Sequence, residues 1–149
     1  MTNYTLADLG WSAFFSRQDI PDGSNPMRIS SVHRDRVEAI SPDGQHSLTT
    51  AQSSGQLAPG DWVLAEDGEV VTVLERKTLL KRGGAGNDAR PQLLAANVET
   101  LGIVSSCNAD FNLARLERYV VIAADAGCLP LVILTKADLD SDPHRFEKE

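Results

Sequence analysis

Cysteine is scarce in this chain: Cys107 and Cys128 are its only two, they lie far apart, and neither has other candidate ligands beside it. That spacing does not support a zinc site and indicates buried free thiols in a reducing compartment. Long apolar runs are also missing, since none approaches the roughly 18 residues that a membrane span needs. The first residues have neither a basic flank nor a continuous apolar segment, which argues against a secretory signal. We therefore expect a cytoplasmic protein without a membrane partner.

A phosphate-binding loop is the most informative absence. The motif G-x-x-x-x-G-K-[ST] occurs nowhere, and the glycines of residues 83–90 lack the Lys and Ser/Thr that would have to follow them. Nucleophilic sets are missing as well, because His33, His46 and His144 are isolated among polar neighbours. We therefore predict that this chain holds no catalytic residues and no metal ligands.

Positive charge is in deficit overall but locally concentrated. The net charge is −7 with a pI near 4.9, which argues against nucleic-acid binding over most of the surface. A local basic patch can still contact phosphates, whereas the alternative is a solvated strand end and linker. The candidate RNA-binding residues of this patch are Arg76, Lys77, Lys81, Arg82 and Arg90.

The first 82 residues indicate an arm followed by a small barrel. Residues 1–27 form an arm with apolar and aromatic side chains, and residues 28–82 contain five short strands separated by turn sequences such as Pro42-Asp-Gly44. This pattern suits an OB-fold, although periodicity alone does not separate it from an SH3-like barrel. Trp62 lies in a strand beside Val63 and Leu64, so we expect a core residue rather than a base-stacking platform.

The rest of the chain, residues 83–149, is predicted to form a linker followed by a βαβ piece. Residues 83–90 have the composition of a flexible linker, and residues 91–149 contain two apolar strands joined by a helix. Asn112 is the predicted N-cap of that helix and Gly127 its C-terminal residue. Two strands do not complete a doubly wound sheet. The predicted fold class is therefore β plus α/β: an OB-fold-like barrel followed by an incomplete βαβ piece.

The second strand ends in the motif Thr135-Lys-Ala-Asp138, which has the chemistry to read guanine. Guanine presents a ring N–H and an exocyclic amine side by side, and an ionised Asp138 can accept both hydrogen bonds. Adenine lacks that pair of donors and would leave the carboxylate unpaired. Lys136 can lay its methylene stem along the base. The alternative is a strand followed by a capped helix, with Asp138 as an ordinary carboxylate of the first turn.

Several segments taken together resemble the circularly permuted ribosome-assembly GTPases of the RsgA (YjeQ/EngC) family. The resemblance spans almost the whole chain. It rests on Leu9-Gly-Trp11, Gly60-Asp-Trp-Val63, Arg76-Lys-Thr-Leu-Leu-Lys-Arg82, Gln92-Leu-Leu-Ala-Ala-Asn-Val-Glu-Thr100, Asp110-Phe-Asn-Leu-Ala-Arg-Leu-Glu-Arg-Tyr119 and Val132-Ile-Leu-Thr-Lys-Ala-Asp-Leu139. The usual first residue of the guanine motif in GTPases is Asn, and here it is Thr135.

The resemblance implies an OB-fold, then a GTPase domain with permuted motifs, then a zinc-binding domain. It also implies GTP or GDP and Mg²⁺ as ligands, and the small ribosomal subunit and its rRNA as partners of a monomeric protein. Because permutation puts the base-reading motif before the phosphate loop, we expect this chain to be the N-terminal part of a small-subunit biogenesis GTPase, inactive by itself. The zinc ligands of the family would lie beyond Glu149. The alternative is a non-enzymatic, stand-alone OB-fold module that binds RNA or the ribosome.

Overall fold

The computed structural model describes residues 4–51, 54–83 and 90–148. The chain divides into two compact units, Met1–Asn97 and Val98–Glu149. In the described residues, no helix is both long and apolar enough to cross a membrane.

The first unit is built on a closed five-stranded barrel, as the turn pattern predicts. Its strands are β1 (Pro26–Val32), β2 (Arg36–Ser41), β3 (Gly44–Thr50), β4 (Trp62–Glu66) and β5 (Glu69–Val73). They close in the order β1-β2-β3-β5-β4, with β3 and β5 parallel and the other pairs antiparallel. Alternating apolar residues fill the barrel, and the buried core contains Ile29, Val37, Ala39, Leu48, Leu57, Val63 and Val70.

The N-terminal arm packs its aromatic side chains against β4. Its helix α1 is short (Ala13–Ser16) and buries Phe15. Trp11 meets Trp62 edge to face, with ring centroids 4.8 Å apart. Trp62 is fully buried, so the predicted core role of this residue is confirmed.

A hairpin of β6 (Leu79–Arg82) and β7 (Gln92–Ala96) completes the first unit. The Ala96 N–H donates to the Pro59 carbonyl at 2.8 Å, and the Asn97 side chain donates to the Gly60 carbonyl at 2.9 Å. Gly60 has φ +93°, and a Cβ at this position would collide with the Ala96 carbonyl oxygen. These bonds attach the hairpin to the barrel.

The boundary between the units therefore differs from the predicted one. The composition change puts the start of the second domain at residue 91, whereas β7 is bonded to the barrel and the compact second unit starts at Val98. Cross-strand pairing of β7 with β6 accounts for the difference, because it is not visible in composition. Most of the predicted linker, residues 84–89, lies outside the described residues.

The second unit is a parallel βαβ piece, as predicted. It consists of β8 (Thr100–Ser106), α2 (Leu113–Ala126) and β9 (Leu129–Thr135), with β8 and β9 parallel. Asn112 caps α2 by accepting the Arg115 N–H at 2.9 Å, and Gly127 ends it in the left-handed region at φ 77°. Two 3₁₀ turns follow, Ala137–Leu139 and Pro143–Glu147. Cys107 and Cys128 are free and buried, which confirms the predicted thiols.

Candidate functional site

The carboxyl ends of β8 and β9 lie side by side in the second unit. Ser106 and Thr135 are register partners, and the Cys107 N–H donates to the Thr135 carbonyl at 2.9 Å. Open α/β sheets form their ligand sites at this edge. The Thr-Lys-x-Asp segment leaves β9 here, and the loop after β8 leaves the same edge. The Thr-Lys-x-Asp segment and the loop after β8 therefore start side by side.

Thr135 is half-buried, and its hydroxyl is already used within the sheet. Its Oγ1 donates to the Ser105 carbonyl at 3.3 Å, which ties β9 to β8 at the last pair of residues. The hydroxyl proton is then directed at the neighbouring strand, and only lone pairs remain for a ligand. An Asn at this position would bring two donors and an acceptor. A base contact from Thr135 remains a prediction.

Lys136 and Asp138 turn outward from the end of β9. Lys136 has φ 57° and ψ 33°, a left-handed conformation that directs the chain into the 3₁₀ turn Ala137–Leu139. Both side chains are exposed. Within the part of the chain that the structure describes, the Asp138 carboxylate has no hydrogen-bond or ion-pair partner, so its oxygens remain free to accept two N–H donors.

The loop after β8 is held by its own polar side chains. Asn108 accepts hydrogen bonds from the Ser106 hydroxyl at 2.8 Å and from the Asp110 N–H at 2.9 Å. Asn112 is used as the cap of α2. The ordinary role of a helix cap therefore holds for Asn112, and Asn108 orders the loop.

In the first unit, Arg76 is committed to a buried carboxylate. Its Nε and Nη2 donate to Asp61 at 2.6 and 2.7 Å, and Nη2 also donates to the Gln56 carbonyl at 2.8 Å. Asp61 is fully buried and also accepts the Ala58 N–H. The hydrogen bond to Asp61 raises the pKa of Arg76 above its ordinary value. The Arg76 charge is thus balanced inside the protein, and this ion pair gives no signal in the sequence.

The other predicted RNA-binding residues differ in how far they are engaged. Lys77 lies 5.9 Å from the Phe14 ring, and Arg82 donates to the Gln92 side chain at 2.8 Å. Lys81 and Arg90 are exposed, and neither side chain has a hydrogen-bond or ion-pair partner among the described residues.

A groove of about 1060 Å³ brings part of the basic patch together in the first unit. Arg76, Lys81 and Arg90 line it, together with Arg34 from the loop between β1 and β2. Arg34 is exposed and was not singled out by charge clustering, because it stands far from the other three residues in sequence. Its position in the first loop of an OB-fold, a common ligand loop, is the signal that would have found it.

The described residues do not form a site for Mg²⁺ or zinc. Phosphoryl transfer requires a cradle for the phosphates and a Ser or Thr on Mg²⁺, and the sequence contains no such loop. Among residues 4–51, 54–83 and 90–148, no three His, Cys, Asp or Glu side chains cluster as metal ligands.

Comparison with known sequences identifies related proteins. A sequence model of the family described as RsgA GTPase matches residues 73–149. The small ribosomal subunit biogenesis GTPase RsgA of Mesorhizobium japonicum is 50% identical over 154 residues, which cover 97% of this chain and 43% of that protein. RsgA 2 of Vibrio vulnificus, with the same description, is 44% identical over 140 residues, covering 91% and 40%. This chain thus spans less than half the length of these relatives.

Two solved structures share the fold. The circularly permuted GTPase YloQ matches with a TM-score of 0.58 at 20% identity, over 89% of this chain and 48% of that one. YjeQ from Thermotoga maritima matches with a TM-score of 0.59 at 19% identity, over 84% and 46%. The order of a closed five-stranded barrel followed by a parallel βαβ piece is therefore the architecture seen in these two proteins.

Proposed function

Because the chain belongs to the RsgA GTPase family, we propose that it supplies the ribosome-binding barrel and the guanine-reading edge of a small-subunit biogenesis GTPase. The observation that carries the proposal is the combination of a free, exposed Asp138 carboxylate at the end of β9 with 50% identity to a small-subunit biogenesis GTPase over nearly the whole chain. The partners are then the small ribosomal subunit and a guanine nucleotide, and the compartment is the cytoplasm.

Guanine selection follows from the chemistry of Asp138. The carboxylate accepts from the ring N–H and the exocyclic amine, and adenine offers no such pair. Lys136, exposed beside it, covers one face of the base with its methylene stem. Thr135 fixes the end of β9 by the hydrogen bond from its hydroxyl to the Ser105 carbonyl of β8. The nucleotide phosphates and Mg²⁺ have no cradle in these residues, so we expect this chain to bind guanine nucleotides weakly and not to hydrolyse GTP.

The base preference can be tested by exchanging one atom. Asp138→Asn replaces one acceptor oxygen by an N–H donor, which matches xanthine, since xanthine carries a carbonyl where guanine carries an amine. We expect the backbone NMR signals of residues 135–138 to shift with GDP for the wild type, and with xanthosine diphosphate in preference to GDP for the variant. Equal shifts with ADP and GDP would contradict guanine selection.

Ribosome association is tested separately by co-sedimentation of the chain with purified small and large ribosomal subunits. We expect association with the small subunit only. Association with neither subunit would contradict the proposal.

A stand-alone RNA-binding module is the second candidate function, and the basic groove of the first unit, lined by Arg34, Lys81 and Arg90, is the observation that favours it. The two functions differ in the size of the native protein. A mass well above 16.1 kDa in its own cells, with a phosphate loop in the additional sequence, supports the GTPase, and a mass of 16.1 kDa supports the module.

A further inference from the structure

We propose that the ion pair between Asp140 and Arg145 positions the Asp138 carboxylate for guanine without contacting the base itself. The inference rests on the proposed function, because it concerns how the same edge of the second unit holds its base-reading group. Both residues follow the Thr-Lys-x-Asp motif in sequence and lie outside it. They are positioning residues, since they act on the nucleotide only through Asp138.

The Asp138 carboxylate has to be oriented because it must meet two parallel N–H donors at once. A single donor tolerates a wider range of carboxylate orientations. The 3₁₀ turn that carries Asp138 is closed on one side by the Leu139 N–H, which donates to the Lys136 carbonyl at 3.1 Å. The next bond, from the Asp140 N–H to the Ala137 carbonyl, is 3.4 Å long, which is longer than such bonds usually are. The orientation of the carboxylate therefore depends on what holds the residues after the turn.

The Asp140 side chain provides a restraint directly after this turn. Its Oδ1 accepts the Asp142 N–H at 2.9 Å, and its Oδ2 accepts from Arg145 Nη2 at 2.7 Å. The Asp140 side chain is only 16% exposed, and salt screens a partly buried ion pair less than an exposed one. Because both carboxylate oxygens are used, Asp140 joins the end of the guanine-reading turn to the following 3₁₀ turn, Pro143–Glu147.

The 3₁₀ turn Pro143–Glu147 is itself anchored to the loop after β8. The ring centroids of Phe146 and Phe111 lie 4.9 Å apart, and both side chains are half-buried. Phe111 belongs to the loop that Asn108 orders, and its N–H donates to the Asn108 carbonyl at 3.0 Å. The ion pair thus links the guanine-reading turn to the other loop at the same edge of the sheet.

A purely structural ion pair would affect every nucleotide alike, and two nucleotides that differ in one donor separate this role from positioning. GDP offers Asp138 the ring N–H and the exocyclic amine. Inosine diphosphate (IDP) keeps the ring N–H and lacks the amine, so it makes only one of the two bonds. A carboxylate that is no longer aligned with the base edge loses the second bond and keeps the first. Loss of positioning therefore weakens GDP binding more than IDP binding.

The test is an NMR titration of the full chain with GDP and with IDP. We expect Arg145→Gln to weaken GDP binding about fivefold and IDP binding less than about twofold. Asp140→Asn keeps an acceptor for the Asp142 N–H but loses the charge that pairs with Arg145, and it should have the same effect. Arg145→Lys retains a charged donor and should recover part of the GDP affinity.

Lys148→Gln is the matched control, since it removes the same charge from an exposed position in the same segment. It should bind GDP and IDP as the wild type does. Equal weakening of GDP and IDP binding in Arg145→Gln, or unchanged GDP binding, would each overturn the inference and leave the proposed function intact. Failure of the proposed function has a different pattern, because the wild type would then give no shifts with GDP or equal shifts with ADP, and the inference would fall with it.

Discussion

At the scale of single residues, the Asp61–Arg76 pair shows how burial changes the meaning of a charge. Charge clustering places Arg76 among the RNA contacts, yet its guanidinium is bound by a carboxylate with no exposed surface. The hydrogen bond to Asp61 raises the pKa of Arg76, so the contribution of this charge to stability is fully present below the ordinary arginine pKa and is lost as the pH rises through the raised value. The Arg76 guanidinium therefore stays charged at neutral pH.

Removal of Asp61, the buried partner of this ion pair, should destabilise the first unit. We expect Asp61→Ala to lower the free energy of unfolding of the first unit by about 3 kcal/mol, because it leaves the Arg76 charge without its counter-ion and the Ala58 N–H without its acceptor. Urea unfolding followed by tryptophan fluorescence reports on this unit, since Trp11 and Trp62 are the only tryptophans.

Arg36→Ala serves as the control for this comparison. It removes the exposed ion pairs of Arg36 with Asp35 (3.6 Å) and Glu38 (3.4 Å), and should lower the free energy of unfolding by less than about 1 kcal/mol. Equal losses of unfolding free energy in the two variants would show that the buried ion pair stabilises the unit no more than the exposed one does.

At the scale of elements, α2 is defined by its two ends. Asn112 satisfies the Arg115 N–H, and Gly127 adopts a left-handed conformation while its N–H bonds the Ala124 carbonyl. Both residues were predicted from local sequence, because caps depend on neighbours within one turn. The loop at the candidate guanine-reading edge is held separately, by the hydrogen bonds that Asn108 accepts from Ser106 and Asp110.

Asn112→Ala should destabilise the start of α2 by about 1 kcal/mol. We expect amide hydrogen exchange in the first turn of the helix to accelerate by about fivefold. Asn112→Asp keeps the acceptor oxygen and should preserve the protection. Unchanged exchange in the alanine variant would mean that the N-cap bond is not made in solution.

A second local interaction lies near the start of the arm, where Thr5 and Asp8 form reciprocal hydrogen bonds. The Asp8 carboxylate accepts from the Thr5 hydroxyl at 2.7 Å and from the Thr5 N–H at 2.8 Å. These bonds, the hydroxyl first, lower the pKa of Asp8 below its ordinary value of 3.8. A lowered carboxyl pKa means that the stabilisation is present above pH 3.8 and is lost as the pH falls through the lowered value.

An NMR titration of the Asp8 carboxyl carbon tests this arrangement. Thr5→Val removes the hydroxyl and should raise the Asp8 pKa toward 3.8, whereas Thr5→Ser retains the donor and should leave the pKa low. A wild-type value of 3.8 or above would show that the pair does not form.

At the scale of the whole molecule, the two units differ in how completely they bury their apolar residues. The barrel and the arm close over two internal clusters. In the second unit, Val104, Leu131 and Ile133 remain 64%, 51% and 40% exposed on one face of the β8–β9 sheet. A two-stranded sheet with an apolar open face has little core of its own.

We therefore expect residues 1–97, produced alone, to unfold cooperatively in urea, and residues 98–149, produced alone, to show no cooperative transition. Circular dichroism measures both. Among the described residues of the first segment, the barrel strands pair within the closed barrel, β6 pairs with β7, and the apolar core is internal. Cooperative unfolding of the isolated second segment would contradict the prediction.

Local patterns in the sequence determined much of this protein. Turn residues delimited the five barrel strands, capping residues delimited α2, and the Thr-Lys-x-Asp motif pointed to the carboxyl end of β9, since each depends on neighbours a few positions away. Tertiary structure alone decided the pairing of Asp61 with Arg76, the attachment of β7 to the barrel through Gly60 and Asn97, and the place of Arg34 beside Lys81 and Arg90. These partners are separated in the chain, and only the folding of the barrel and the attachment of the β6–β7 hairpin to it bring them together.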